Sequence, residues 1–161
     1  MPSRLRALLA AALVLAAGPA RAEDPPPNYF AGFAGTTLGY HPDGGPWSGY
    51  QHDLTTTVGY GRYVKPTLAL ELDLGPTFVK GDYTSFALVP GVVWAFNPSV
   101  YAAARFVVPV DPKPDLTLAP GLGLSHTFGR YTPILEVNAL HTVGKGSNLA
   151  ITATLGLLVA F

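Results

Sequence analysis

From residue 29 onward the chain alternates between large apolar residues and small or polar ones. Leu54, Thr56, Val58 and Tyr60 share one parity, against Asp53, Thr55, Thr57, Gly59 and Gly61 on the other. The next segment is sharper, with Leu68, Leu70, Leu72 and Leu74 against Thr67, Ala69, Glu71 and Asp73. A period of two without a helical stripe predicts strands. The same rule separates Phe86, Leu88, Val92, Trp94 and Phe96 from Ser85, Ala87, Gly91 and Ala95. It separates Val100, Ala102, Ala104, Phe106 and Val108 from Tyr101, Ala103 and Arg105. In the sixth segment Leu116, Leu118, Leu122, Leu124 and Phe128 oppose Thr117, Ala119, Gly121, Gly123, Ser125 and Thr127. Tyr131 to His141 alternates more loosely, with Leu135, Val137 and Ala139 opposite Glu136 and Asn138. The last segment sets Leu149, Ile151, Ala153, Leu155, Leu157, Val159 and Phe161 against Ala150, Thr152, Thr154 and Gly156. Tyr29 to Tyr40 reads as a first strand whose inward face the pattern leaves open.

Eight strands result, and their connections alternate in length. Arg62 to Pro66, Asn97 to Ser99 and Gly129 to Thr132 are tight; His41 to Gly49, Val79 to Thr84, Val110 to Asp115 and Thr142 to Asn148 are longer. Such a meander predicts an up-and-down antiparallel barrel, and the question becomes which face points inward. A soluble ligand-binding barrel lines its interior with the large apolar residues. Here the other parity holds only glycine, alanine, hydroxyl and charged residues, too little apolar area for a core. Inverted, the pattern makes sense: leucines meet lipid while threonines and carboxylates meet a polar lumen. The fold class expected for residues 29–161 is therefore all-β, an eight-stranded antiparallel transmembrane up-and-down β-barrel. The aromatics fit two interfacial belts. One is Tyr60, Tyr63, Trp94, Phe96, Phe128, Tyr131 and Phe161; the other is Tyr40, Trp47, Tyr50, Phe78, Tyr83 and Phe86. Pro76, Pro90, Pro109 and Pro120 fall inside strands of a barrel that has no edge, so bulges or placement above the hydrocarbon are expected there.

Composition agrees and adds a compartment. Charged residues make up 12% of the chain, against about 25% in soluble domains. Residues 1–22 read as a cleaved signal peptide: Arg4 and Arg6, an apolar run from Ala7 to Ala17, a Gly18-Pro19 break and an Ala20-Arg21-Ala22 cleavage site. The apolar run is shorter than the roughly 20 residues that a spanning helix needs. Residues 23–28, with prolines at 25–27, read as an extended tail. The mature chain carries seven basic and ten acidic residues, and no basic patch argues for nucleic acid. With no cysteine, neither a disulfide framework nor a lipidated N-terminal cysteine is available.

The terminal octapeptide, with Thr154, Gly156, Val159 and Phe161 in a polar-x-Gly-x-x-apolar-x-Phe arrangement, resembles the C-terminal signal of outer-membrane β-barrels. Across the mature chain the pattern resembles the small eight-stranded barrels of the OmpA and OmpX type. That resemblance implies a Gram-negative outer membrane, contact with lipid and lipopolysaccharide, and insertion by the barrel-assembly machinery. It implies no catalytic residues and no cofactor. The outer loops are shorter than an adhesive fin would need. A closed barrel lacks the free edges that drive strand pairing between copies, so a monomer is expected.

The inward charges are the candidates for chemistry. Glu71, Arg105 and Glu136 lie five to seven residues beyond the tight turns on alternate strands, at similar depth in the lumen, with Asp73 one inward step above Glu71. They could form a structural ion-pair layer, because unpaired interior charge is costly. Equally, three carboxylates facing one guanidinium could act as a gate or hold a cation. A barrel of eight strands is just wide enough to be filled by its side chains, so no wide pore is expected. Enzymatic patterns are incomplete. Ser125 and His126 are adjacent and point to opposite faces. His141 sits on the outward parity near the outer rim, a placement similar to that in lipid A 3-O-deacylases. That family pairs its histidine with a serine two residues on and a glutamate on the next strand; here those places hold Val143 and a strand without acids. His41, Asp43 and His52 could suggest a metal, but His41-Pro42-Asp43-Gly44-Gly45-Pro46 reads better as turn chemistry. Gly121 and Gly123 lack the strand-to-helix context of a nucleotide loop. An outer-membrane lipid-modifying enzyme and a soluble secreted or periplasmic ligand-binding barrel remain the alternatives to a structural or narrow-channel barrel.

Overall fold

A computed structural model describes residues 28–111, 115–143 and 148–161. The signal peptide expected at 1–22 and residues 23–27 of the tail lie outside the described residues; Asn28, assigned to that tail by its sequence, already begins the first strand. Eight strands follow in order: β1 Asn28–His41, β2 Asp53–Lys65, β3 Leu68–Val79, β4 Asp82–Asn97, β5 Val100–Asp111, β6 Thr117–Ser125, β7 Tyr131–Thr142 and β8 Leu149–Ala160. Each pairs antiparallel with its sequence neighbours, and β1 pairs with β8 from Tyr29↔Ala160 to His41↔Leu149, closing the barrel. No strand is left with a free edge.

The barrel is turned inside out relative to a soluble one. Leu122 and Leu155 point outward and are 64% and 65% exposed, and Leu70, Leu72, Trp94, Phe106 and Val137 join them. The buried residues include Ala31, Ala69, Ala103 and Ala119, the larger Tyr29, Val89, Tyr101 and Ile134, and the polar Glu71, Asp73, Arg105, Glu136 and Asn138. The parity read from segments two to eight is the parity found. In β1, which the alternation left open, Tyr29, Ala31, Phe33, Gly35 and Thr37 face inward. Tyr63 departs from its expected belt: it turns inward and packs its ring against Tyr29 at 5.5 Å. A register shift between Tyr63 and Lys65 marks the irregular end of this strand. Phe128 keeps its exposure but lies beyond β6, bridged to Tyr131 in the turn.

The expected loop at 79–84 is instead a tight hairpin. β3 runs to Val79, β4 starts at Asp82, and only Lys80 and Gly81 separate them, with φ of 52° and 91°. Two consecutive positive φ values give the primed turn whose twist matches that of the flanking strands. The first connection is longer, residues 42–52, and Ser48 ties it back to Tyr40 by two backbone hydrogen bonds.

Three of the four strand prolines are accommodated without a bulge beside them. Pairing between β4 and β5 stops at Leu88↔Val108 and resumes at Gly91↔Arg105, in the same register, across Pro90. β6 and β7 skip from Leu118↔His141 to Gly121↔Asn138 across Pro120, and β2 and β3 skip from Thr55↔Thr77 to Val58↔Leu74 across Pro76. A missing N–H opens the ladder toward one neighbour only and leaves the other side paired. Pro109 alone stands beside a register shift, between Phe86 and Ala87.

Candidate functional site

The interior is built from large side chains laid over glycines on the adjoining strand. Tyr29 lies directly opposite Gly61, Asp73 opposite Gly59, Arg105 opposite Gly91, Tyr101 opposite Gly123, Asn138 opposite Gly121 and Phe33 opposite Gly156. A methyl group at any of these glycines would collide with the facing side chain. The nearest atoms would be 1.9 Å away at Tyr29, 2.0 Å at Tyr101 and 2.5 Å at both Arg105 and Phe33. The glycines are sockets, and they let a narrow barrel hold rings and a guanidinium flat against its wall.

Arg105 stands at the centre. Its Nε and Nη2 donate to Glu71 Oε1 at 3.0 and 2.9 Å, and its Nη1 donates to Glu136 Oε1. Asp73 Oδ2 lies 3.7 Å from Nε. All four charged residues are less than one-tenth exposed. The interior thus brings together Glu71, Asp73, Arg105 and Glu136, the four residues that the inward parity singled out. Two neighbours were not foreseen. The Tyr29 hydroxyl donates to Glu71 Oε2 at 2.8 Å, and Phe33 puts its ring 5.6 Å from the Arg105 guanidinium carbon. The signal for both lay in β1, where Tyr29 and Phe33 share the parity of Ala31 and Gly35. Without an assigned inward face it could not be read.

Formally the cluster carries three negative charges and one positive. Glu136 Oε2 and Asp73 Oδ1 have no hydrogen-bond partner among the described residues. Buried charge of this kind is held by the guanidinium, and removing that centre would leave like charges facing each other in a space of low dielectric.

The cluster divides the lumen. Toward the loops lies a cavity of about 160 Å³, lined by Thr57, Thr77, Thr154, Asp53 and Asp73 together with Phe33, Val89, Val107 and Leu140. Asp53 is fastened there by the backbone N–H and hydroxyl of Thr37 and by the Thr36 hydroxyl. Toward the tight turns lies a wider cavity of about 580 Å³. Its wall is less polar than the small-residue pattern implied, with Tyr63, Val93, Tyr101, Ile134 and Leu158 among its residues. Phe33 and Arg105 border both cavities and so form the partition.

The remaining candidates are dispersed. Thr154 lines the smaller cavity, Gly156 receives Phe33, and Val159 pairs with Phe30 and Tyr131. Phe161 stacks on Phe30 at 5.0 Å, and its N–H donates to the Asn28 carbonyl, which ties the last residue to the first strand. His141 is exposed on the outward face between Leu118 and Leu149. His41 packs on Trp47 and His52 on Tyr50. No group of three metal-ligating side chains occurs among the described residues.

No protein-family profile matches the chain, and no curated protein matches it. Among solved structures it is similar to a protein from the de novo design of transmembrane β-barrels, with 14% identity over 85% of this chain and 97% of that one, and a TM-score of 0.55. At that identity the likeness is one of fold.

Proposed function

We propose that this chain is an integral outer-membrane β-barrel of the small OmpA/OmpX type, structural or narrowly conducting and without catalytic activity. The observation that carries the reading is the inverted polarity of a closed barrel. Leucines and aromatics cover its outside, while a buried charge cluster crosses its lumen. In water such an outer face would be an aggregation surface, whereas in a bilayer it is the solvated one. On this reading residues 1–22 are the export signal of a Gram-negative protein. The terminal Thr154, Gly156, Val159 and Phe161 are read by the barrel-assembly machinery, lipid and lipopolysaccharide surround the belts, and the barrel is a monomer. Likeness to a designed membrane barrel supports the fold this requires.

Fractionation tests it. Mature protein should partition with the outer membrane, need detergent for extraction, and migrate differently before and after boiling. A protein found in the aqueous phase with no such shift contradicts the proposal. Conductance then separates structural from channel function. Because Arg105 and Phe33 form the partition, wild type should stay closed in planar bilayers and Arg105→Ala should show small, discrete openings. Zero conductance in both would rule out a gate.

A further inference from the structure

We propose that the wider cavity at the turn end is a binding site for a small organic cation, an ammonium group carried on an aromatic or branched alkyl body. Its volume, about 580 Å³, lies within the range of small-molecule sites. Tyr29, Tyr63, Tyr101 and Phe33 present rings to it, and Val93 and Leu158 add aliphatic contact. Aromatic walls of this kind attract cations through the negative faces of their rings.

The floor gives the same sign. Glu71 and Arg105 close the cavity from above, and every nitrogen of that guanidinium is already committed to a carboxylate. Arg105 therefore has little to offer an anion, while the acid excess around it favours positive charge. At the rim Arg130 is held by Tyr131, its guanidinium 5.1 Å from that ring and bonded to its hydroxyl at 3.0 Å. The wall adds a polar group. The hydroxyl of Tyr101, a residue 6% exposed, lines the cavity beside Glu136, to which it can donate while its oxygen stays open to a donor. It can accept from an ammonium N–H. Asn97, Pro98, Thr127 and Arg130 belong to the turns or their borders, so the ligand would enter from the turn end.

The site requires only the folded barrel, so it stands or falls apart from the membrane assignment. The test is calorimetric titration of the detergent-solubilised full barrel with benzylammonium. Benzenesulfonate serves as a probe with a similar ring and opposite charge. Saturable binding of the cation, no binding of the sulfonate, and about a fivefold weaker Kd in Tyr63→Leu are expected. Tyr63 lies outside the ion cluster, so this variant changes the cavity wall and leaves the buried charges in place. Asp53→Asn, in the opposite cavity, should leave the Kd unchanged. Equal binding of both probes, an unchanged Kd in Tyr63→Leu, or no saturable binding of the cation would overturn the proposal.

Discussion

Single residues fill this interior in pairs. A glycine facing Tyr29, Phe33, Asp73, Tyr101, Arg105 or Asn138 sets the geometry, and the pairs are coupled by direct contact. Gly123→Ala would drive a methyl group into the Tyr101 ring and should cost about 1–3 kcal/mol, as overpacking does. Adding Tyr101→Ala should recover part of that loss, so a double-mutant cycle in urea would show coupling instead of simple addition. Arg105→Ala should be more damaging, about 3–5 kcal/mol, because Glu71, Asp73 and Glu136 then face one another without a counter-charge. Glu136→Gln in that background should restore stability in the same unfolding assay. The charge cluster was legible in the sequence because Glu71, Asp73, Arg105 and Glu136 interrupt an inward parity of small residues. Its partners Tyr29 and Phe33 were not. β1 carries small or hydroxyl residues on both parities, so its hydrophobic pattern did not choose a face. Only pairing with β2 and β8 did.

Strand register follows the same alternation, while strand ends follow turn chemistry. Lys80 adopts φ of 52° at the first position of a two-residue hairpin, a conformation that glycine enters without a Cβ penalty. Lys80→Gly should therefore be neutral or stabilising by up to about 1 kcal/mol, and Lys80→Val destabilising by about 1–3 kcal/mol. Urea unfolding midpoints of the two variants check the sign. The sequence predicts a longer connection from Val79 to Thr84, because Gly81 and Asp82 are turn residues. Local composition does not reveal that Lys80 takes the strained position and so lets β4 begin at Asp82. The prolines teach a related lesson. The sequence predicts bulges at these prolines or their placement above the hydrocarbon, yet Pro76, Pro90 and Pro120 each open the ladder toward one neighbour only, and that ladder keeps its register.

At the scale of the whole molecule the barrel has one apolar exterior and two unlike chambers. The exterior was readable from parity alone, since seven of the eight segments carry their leucines and aromatics on a consistent side. The chambers were not, because lumen volume depends on how Tyr29, Tyr63, Phe33 and Leu158 fold over neighbouring strands. Inward Tyr63 and Leu158 give the turn-end chamber its larger side chains. The closing strand joins both scales. Phe161 stacks on Phe30 of β1, so deleting Phe161 should remove a belt contact at the seam as well as the proposed assembly signal. Reduced amounts of the heat-modifiable form in outer membranes are expected, with export unaffected.

The central claim is that the outward parity faces lipid, and the absence of cysteine allows it to be measured on a clean background. Single cysteines at Leu72, Leu122 and Leu155, spin-labelled in the refolded barrel in lipid vesicles, report collision with oxygen and with a water-soluble nickel chelate. All three labels should be accessible to oxygen and shielded from nickel, as residues in hydrocarbon are. Free collision with nickel at these three positions would place the face in water and contradict the account.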